Sequence, residues 1–258
     1  MLLAIDIGNS AVKVGFFEDG RLMESFSMGT DFKKTADEYA FFLKNLTKKD
    51  FSEISAVILG SVVPSVTEKI KKALAGLTDA TVLTVGPGLR TGFPLKIDNP
   101  KELGADLAAN AAGAICRYGY PVIVADFGSV TTLLVVDKDG AYRGGCFMPG
   151  IGMSLEGLTD AELLPDIPAE KPPAALSTNT ADCMRAGVIR GQAFAVSGFV
   201  KNYKAKLELP QDTPLVVTGG HAPLILPCLP SDTRHEELLT LKGLDAIYRF
   251  NKKERKNG

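Results

Sequence analysis

The sequence predicts an α/β fold made of two tandem lobes of related structure, and three observations lead to this prediction. Apolar strand-like runs alternate with helix-like runs along the 258 residues, which is the pattern of α/β proteins. A chain of this length fits one large domain or two small ones. The opening segment also has a second copy that begins near the middle of the chain.

The second copy defines the two lobes. The opening MLLAIDIGNSAVKVGFFEDGR matches VIVADFGSVTTLLVVDKDGAYRGG, which starts at Val122, at a constant offset of 120 residues. The following residues then coincide: Asp6 with Asp126, Gly8 with Gly128, Asn9 with Ser129, and Asp19-Gly20 with Asp139-Gly140. Each copy reads as an apolar strand ending at Asp, a Gly-containing turn, a second strand and an Asp-Gly hairpin turn. We therefore predict lobes at 1–117 and 118–258.

The paired turns predict a nucleotide site. A carboxylate such as Asp6 can hold a cation, Gly8 lets the backbone approach a phosphate, and Asn9 can add a hydrogen bond. For one copy alone, a simple tight turn explains the Asp and the Gly better. Because the pattern occurs twice, we expect both turns to hold the phosphates and metal of one nucleotide in a cleft between the lobes.

The remaining elements follow from hydrophobic periodicity and from breaker residues. Strand-like runs lie at Glu53–Val62, Ala80–Val85 and Pro214–Thr218, and helix-like runs lie at Thr35–Leu46, Val66–Leu74, Glu102–Arg117, Thr180–Leu207 and Thr240–Asn251. The segment Leu163–Ser177 is rich in proline, and proline lacks the backbone N–H that a helix or strand needs. We therefore expect a loop there.

Composition excludes several classes of function. The chain has 29 basic and 30 acidic residues and a net charge of −1, which gives no electrostatic basis for nucleic acid or an acidic membrane as the main partner. The basic run Lys252–Lys256 is expected to be a solvated tail. No apolar run approaches the ~20 residues that span a bilayer. We expect a cytoplasmic protein.

Nucleophilic and zinc chemistry have little support in the residue types. Only two histidines and four scattered cysteines occur, without a Cys-x-x-Cys pair, which argues against a zinc site or Ser-His-Asp hydrolysis. Neither a Gly-x-Ser-x-Gly elbow nor a Gly-x-x-x-x-Gly-Lys-[Ser/Thr] loop is present. Any chemistry must therefore rest mainly on carboxylates and backbone amides.

Several motifs in a fixed order resemble those of one family. They are DIGNSAVK at 6–13, DNPKELGAD at 98–106, DFGSVTT at 126–132, GGCFMPGI at 144–151, STNTADCMRAG at 177–187, TGGHA at 218–222 and LTLKGLDAIYRFN at 239–251. Together they resemble the actin/Hsp70/sugar-kinase superfamily and, within it, most closely the type III pantothenate kinases. The resemblance implies two actin-like (ribonuclease H-like) lobes and ATP-dependent phosphorylation of pantothenate, the first step of coenzyme A biosynthesis. It also implies a homodimer that uses Mg-ATP and a monovalent cation, K⁺ or NH₄⁺.

The same resemblance implies roles for individual residues. ATP would contact Asp6, Ile7, Gly8, Asn9, Ser10, Ala11, Val12, Lys13 and Ser129. Asp6 would lie near the magnesium ion that the nucleotide carries. Pantothenate would contact Ile97, Gly104, Ala105, Asp106, Leu107 and Thr180. Asp106 would be the general base and Asp126 the monovalent-cation ligand. Purely structural roles stay open for three of these residues. Asp106 could be an acid in the first turn of a helix, where the helix dipole stabilises it. Lys13 could be a solvated strand lysine, and Thr180 could be an N-cap.

Two positions on the acceptor side depart from the family pattern. Leu107 stands where the family has arginine in Gly-x-Asp-Arg, and Ile97 stands where many relatives have tyrosine. A guanidinium can bind the pantothenate carboxylate through two parallel hydrogen bonds, and leucine cannot. Two alternatives therefore accompany the main hypothesis: a catalytically weak, ATP-binding regulatory relative, or a kinase for another small hydroxyl substrate. A phosphatase is a third alternative, because superfamily phosphatases share the fold and fold does not determine chemistry.

Overall fold

In the computed structural model, the backbone is described for residues 1–257 and the side chains for residues 1–252. The chain forms two compact units. Unit 1 contains Met1–Pro94, Asp98–Cys116 and the C-terminal helix α8 (Leu239–Asn257), and unit 2 contains Leu95–Ile97 and Arg117–Leu238. The sequence places the C-terminal segment in the second lobe, whereas α8 packs in unit 1. The lobe boundary at 117–118 itself stays a prediction.

The sheet of unit 1 has five strands in the order β3-β2-β1-β4-β5. Their bounds are Leu2–Ile7 for β1, Ala11–Glu18 for β2, Arg21–Gly29 for β3, Ala56–Ser61 for β4 and Thr81–Thr84 for β5. Strands β1 to β3 form an antiparallel meander, and β4 and β5 add to β1 in parallel. Helices α1 (Ala36–Asn45) and α2 (Pro64–Ala75) connect them.

The sheet of unit 2 has the same topology. Its strands are β6 (Val122–Phe127), β7 (Val130–Val136), β8 (Tyr142–Pro149), β9 (Leu215–Thr218) and β10 (Arg234–His235), in the order β10-β9-β6-β7-β8. Strands β6 to β8 are the antiparallel meander, and β9 and β10 are the parallel additions. The predicted α/β fold with two related halves is confirmed.

Most predicted helices are confirmed, with shifted ends. Helix α3 runs over Ala105–Tyr118 and α8 over Leu239–Asn257, while the predicted helix 180–207 consists of α5 (Thr180–Arg185), a π-helical turn (Ala186–Arg190) and α6 (Gly191–Lys206). Two further helices, α4 (Ile151–Thr159) and α7 (Ala222–Ile225), were not predicted. The backbone of the expected tail 252–256 is helical, and its side chains after Lys252 lie outside the described residues.

Local sequence explains where the helices begin. Thr35 caps α1, because its hydroxyl accepts a bond from the Glu38 N–H (3.2 Å) and the Glu38 carboxylate accepts one from the Thr35 N–H (2.7 Å). This reciprocal pair is a capping box. Pro64 is the first residue of α2, where its missing N–H costs no hydrogen bond.

Helix α8 completes unit 1 by packing on the sheet and on α3. Its residues Leu241 and Leu244 are fully buried. A Cβ on Gly113 would lie 2.7 Å from the Leu239 carbonyl oxygen, and a Cβ on Gly243 would overlap the Ala109 carbonyl. Because these positions have no room for a Cβ, the backbones of α3 and α8 are in direct contact. This contact fixes α8 against the helix that carries Asp106.

Candidate active site

The first candidate element is the β1–β2 turn of unit 1. The Gly8 N–H donates to the Ala11 carbonyl (3.0 Å), and the Thr30 hydroxyl donates to the Gly8 carbonyl (2.6 Å). These bonds fix the turn, while the side chains of Asn9 and Ser10 are exposed at its tip. The exposed tip thus presents two side chains that can hydrogen-bond a ligand. Sequence reasoning missed the role of Thr30, which directly follows β3.

Asp6 and Lys13 face each other beside this turn. They are partners in the antiparallel register of β1 and β2, and directly opposed residues project from the same face of a sheet. Both side chains are half-buried. The neighbouring pair Ile7 and Val12 is buried on the other face. The placement of Lys13 opposite a site acid favours the site interpretation over a purely solvated lysine.

The second candidate element is the β6–β7 turn of unit 2. Asp126 is the penultimate residue of β6, as Asp6 is of β1, and the two strands share one burial pattern in which only this acid is half-exposed. A Cβ on Gly219 would lie 2.5 Å from Asp126 Oδ1, and one on Gly128 would lie 3.6 Å from it. The carboxylate of Asp126 is therefore flanked by two glycines, which bring no side chain against its Oδ1.

Two glycine turns support the β6–β7 turn. Gly150 precedes α4, and its N–H donates to the Ser129 carbonyl (3.2 Å). A Cβ on Gly150 would lie 2.5 Å from the Gly128 carbonyl oxygen, so only glycine fits there. Gly219 adopts φ +97°, a backbone conformation that glycine tolerates best. The Pro-Gly pair at 149–150 is the sequence signal that could have identified this support.

The Thr218-Gly219-Gly220 motif begins at the last residue of β9, beside Asp126. Thr218 is the parallel-sheet partner of Asp126 and is only 1% exposed. The next residue after the motif, His221, donates its backbone N–H to the Phe127 carbonyl (3.0 Å). Within the described residues, Thr218 Oγ1 and His221 Nδ1 are buried without a hydrogen-bond partner. Sequence reasoning did not identify His221.

Asp106 lies in the first turn of α3 in unit 1. Its Oδ1 accepts a bond from the Leu107 N–H (2.8 Å). A Cβ on Gly104 would lie 2.5 Å from that same oxygen, so glycine at 104 makes room for the carboxylate. Burial raises the pKa of Asp106 above its usual range, and the Leu107 hydrogen bond opposes this effect without cancelling it. A raised pKa makes Asp106 a stronger base than a surface aspartate.

The other predicted acceptor residues are divided between the units. Ala105 and Leu107 are buried in unit 1, and Leu107 is 7% exposed. Ile97 and Thr180 belong to unit 2, where Ile97 is half-buried and Thr180 is exposed at the start of α5. The N-cap of α5 is Asn179, whose side chain accepts a bond from the Asp182 N–H (2.9 Å). The alternative that Thr180 is the N-cap is therefore wrong.

Comparison with known proteins identifies the family. The sequence profile of type III pantothenate kinase matches residues 2–202. A type III pantothenate kinase of Citrifermentans bemidjiense is 37% identical over 256 residues, covering 98% of this chain and 100% of the relative. That of Halalkalibacterium halodurans is 38% identical, covering 97% and 100%. The chain belongs to the type III pantothenate kinase family.

Solved structures support the fold of this kinase. A protein described as a conserved putative Baf family transcriptional activator from Campylobacter jejuni has a TM-score of 0.64 at 18% identity, covering 97% of this chain and 99% of its own. A ROK family glucokinase from Streptomyces griseus has a TM-score of 0.53 at 14% identity, covering 95% and 97%. An archaeal actin homolog scores 0.51 at 13% identity, covering 98% and 99%. At these identities the likeness establishes the actin-like fold only.

Thr180 of the kinase lines a cavity inside unit 2. The cavity has a volume of about 710 Å³, and its lining is mainly apolar, with Met148, Leu158, Met184 and Val188 among the contributors. Gln192 supplies a buried polar group there, accepting a bond from the Thr131 hydroxyl (2.9 Å) and donating one to the Pro149 carbonyl (2.8 Å). The π-helical turn contributes Gly187 and Val188 to this wall, and such turns often lie at functional sites.

The kinase has no preassembled metal centre in the part of the chain that the structure describes. No three His, Cys, Asp or Glu side chains converge there. Asp6 and Asp126 could each supply one carboxylate to a cation. Magnesium that is held by one or two carboxylates together with substrate phosphates fits such a sparse site.

Proposed function

We propose that this chain transfers the γ-phosphoryl group of ATP to the primary hydroxyl of pantothenate. The observation that carries the proposal is the family match over residues 2–202, which includes both candidate turns, Asp106 and Thr180. The fold, the duplicated acid-bearing turns and the half-buried base support the same activity. Phosphoryl transfer depends mainly on positioning and charge neutralisation, and these are what this arrangement can supply.

The β1–β2 turn is proposed to bind the ATP phosphates through Asn9, Ser10 and the backbone of residues 6–13. The exposed side chains at the tip and the fixed backbone support this role. Lys13 adds positive charge on the face that Asp6 shares. Asp6 would hold the nucleotide's magnesium, which supplies neutralisation of the phosphate charge. Ser129 of unit 2 is proposed as a further ATP contact.

Asp126 is proposed to bind the monovalent cation, K⁺ or NH₄⁺. Its oxygens are flanked by Gly128 and Gly219, which supports access for an ion. The adjacent buried Thr218 hydroxyl offers a further oxygen next to this carboxylate along the sheet.

Asp106 is proposed as the general base. It accepts the proton of the pantothenate hydroxyl while that oxygen bonds to the γ-phosphorus. The bond from the γ-phosphorus to the bridging oxygen of the β-phosphate breaks, and ADP leaves. The raised pKa of Asp106, caused by burial, supports this role because a stronger base draws the proton more effectively.

Acceptor binding is proposed to involve Gly104–Leu107, Ile97 and Thr180. The buried Leu107 cannot form the paired hydrogen bonds that an arginine would offer a carboxylate. We therefore expect weak selection of the acceptor's carboxylate by position 107. Thr180 lines the apolar cavity of unit 2, which supports contact with an apolar part of the acceptor.

A homodimer is proposed from the surface of unit 2. Phe147 and Phe194 are 67% and 65% exposed, and Met153 and Leu176 are also exposed. Leu176 and Phe194 line one surface pocket, and exposed apolar patches mark interaction sites. Sedimentation of the full chain tests this assembly.

A cytoplasmic location is proposed from the substrates. Within the described residues, no helix combines the length and apolar character needed to cross a bilayer.

The activity is tested with purified full-length protein, Mg-ATP, K⁺ and pantothenate. ADP release coupled to formation of phosphopantothenate is expected, with a drop when Na⁺ replaces K⁺. The control reaction omits pantothenate and measures ATP hydrolysis alone. If high enzyme and ATP concentrations yield no pantothenate-dependent ADP, the proposed activity is wrong.

A further inference from the structure

A second cavity lies in unit 1 at the end of the sheet away from the β1–β2 turn. It has a volume of about 580 Å³, which is in the usual range of small-molecule sites. Leu2 and Phe17, partners at the far end of β1 and β2, line it. Ile7 is five positions along β1 from Leu2, so the cavity is about 17 Å from the turn at ~3.3 Å per residue. The cavity is therefore separate from the proposed ATP turn.

The charged groups of this cavity come mainly from two walls. The wall on α8 carries the cations Arg249 and Lys252 and the acid Asp245, which pairs with Arg249. The wall on the β2–β3 hairpin carries the acids Glu18 and Asp19. The N-terminal ammonium of Met1 also lies at the cavity, where it donates to the Ser55 hydroxyl (3.4 Å). The floor is apolar or aromatic and is formed by Leu2, Phe17 and Tyr248. The α8 wall thus has a net positive charge, the hairpin wall has a net negative charge, and an apolar surface completes the lining.

The contacts of Arg249 fix the cationic wall close to the hairpin turn. Its Nε donates to Asp245 Oδ2 (2.8 Å), and the Asp245 side chain is only 4% exposed. A Cβ on Gly20 would lie 3.2 Å from the Arg249 Cζ, so glycine allows the guanidinium to approach the turn. Lys252 lies over the Tyr248 ring with its Nζ 5.9 Å from the ring centroid. The two walls are therefore near enough to contact one small molecule.

We propose that this cavity binds a zwitterionic small molecule with an apolar body, of the class of apolar α-amino acids. Its carboxylate faces Arg249 and Lys252, its ammonium group faces Glu18 and Asp19, and its apolar part rests on the floor. Three acids and three cations line the cavity when Asp245 and the Met1 ammonium are included, so the charges of the lining cancel. A ligand with a single charge would leave one wall without a partner, whereas a zwitterion satisfies both.

Methionine NMR gives a direct test with the full chain. Six methionines are present: Met1 lines this cavity, while Met148 and Met184 line the cavity of unit 2. Protein labelled with ¹³C at the methionine methyl groups is titrated with L-phenylalanine, phenylacetate and phenethylamine. These probes share one aromatic body and differ in their charged groups. We expect a saturable Met1 shift with L-phenylalanine, and roughly two- to fivefold weaker binding of each singly charged probe, the range expected for a partly exposed ion pair.

Two variants assign the walls. Lys252→Gln should remove the advantage of L-phenylalanine over phenethylamine, because the carboxylate loses a partner. Asp19→Asn should remove its advantage over phenylacetate, and asparagine tolerates the φ of +48° at position 19. The exposed Lys201→Gln on α6 of unit 2 is the matched control and should leave all three affinities unchanged.

Three outcomes would overturn the proposal. The first is an unchanged Met1 signal up to the solubility limit of L-phenylalanine. The second is a shift at Met148 or Met184 in place of Met1. The third is a singly charged probe that binds as tightly as the amino acid. Since none of these measurements involves turnover, their failure is distinct from failure of the proposed kinase activity.

Discussion

Replacing Asp106 with asparagine separates chemistry from structure at the proposed base. Asparagine has nearly the same volume and keeps an oxygen that can accept the 2.8 Å bond from the Leu107 N–H. The substitution therefore preserves the local contacts and the space provided by Gly104. It removes the ability to take up a proton at neutral pH. A loss of turnover in Asp106→Asn is thus a loss of base chemistry.

The expected kinetic effect is large. Positioned general bases contribute roughly 10²–10⁴-fold to rate, which corresponds to about 2.7–5.4 kcal/mol at 1.36 kcal/mol per tenfold. We expect kcat for pantothenate phosphorylation to fall by that factor, while ATP affinity measured by calorimetry stays unchanged. In the wild type, burial raises the pKa of Asp106. As the pH is lowered, kcat/KM should therefore begin to fall at a pH that is above the ordinary pKa of aspartate.

The same substitution should increase stability at neutral pH. A carboxyl whose folded pKa is raised holds its proton more tightly in the folded state, so its stabilising contribution is present below the unfolded pKa. That contribution is lost as the pH rises through the folded pKa. Asp106→Asn removes a half-buried charge, so its free energy of unfolding should exceed that of the wild type near neutral pH. This advantage should vanish in acid, as urea titrations at both pH values can show.

The control for Asp106→Asn is Asp98→Asn, which changes an exposed acid a few residues earlier. Asp98→Asn should alter neither kcat nor the pH dependence of stability. A kcat for Asp106→Asn within about tenfold of the wild type would refute the role as base. A variant that is less stable than the wild type at neutral pH would refute the argument from burial.

Three further predictions test other parts of the structure. Gly219→Ala should weaken K⁺ activation, because the new Cβ would lie 2.5 Å from Asp126 Oδ1. It should also cost at least ~1–2 kcal/mol of stability, because φ at this position is +97°. Leu107→Arg should lower stability, because it places a charge at a position that is only 7% exposed. It should also raise kcat/KM for pantothenate relative to kcat/KM for the uncharged pantothenyl alcohol. Thr240→Val should cost about 1–3 kcal/mol by removing its buried 2.9 Å bond to Asn110, with activity kept in the folded fraction.

Matched variants control these measurements. Gly220→Ala places its Cβ where nothing lies within 4 Å, so normal K⁺ activation is expected there. If Gly219→Ala also keeps normal K⁺ activation, Asp126 is not the cation ligand. Leu107→Met is the volume control for Leu107→Arg, and an unchanged substrate ratio in Leu107→Arg removes position 107 from carboxylate selection. Urea midpoints equal to the wild type in Thr240→Val would contradict the value assigned to the bond with Asn110.

The duplicated fold was accessible from sequence because its signal is local. Both copies carry an apolar strand, an acid and a glycine turn in the same order, and this order determines the matching positions of Asp6 and Asp126 in β1 and β6. Strands β3 and β8 gave weaker signals. Strand β3 alternates exposed and half-buried residues, and β8 contains Gly144 and Gly145, which strands usually avoid.

Long-range features could not be predicted from the sequence. The membership of α8 in unit 1 depends on the backbone contact at Gly113 and Gly243, residues that are 130 positions apart in the sequence. The raised pKa of Asp106 depends on burial created by the surrounding fold. The cap of α5 also needed geometry, since the neighbours Asn179 and Thr180 are both common N-cap residues.

The packing of α8 has a consequence for biosynthesis. Most of unit 1 leaves the ribosome before unit 2, yet the helix that buries Leu241 and Leu244 against its sheet is translated after unit 2. Unit 2 is nearly contiguous, from Arg117 to Leu238, so the nascent polypeptide carries all of its elements before unit 1 is whole. Until α8 has been synthesised, the early sheet therefore presents an uncovered apolar face that chaperones can recognise.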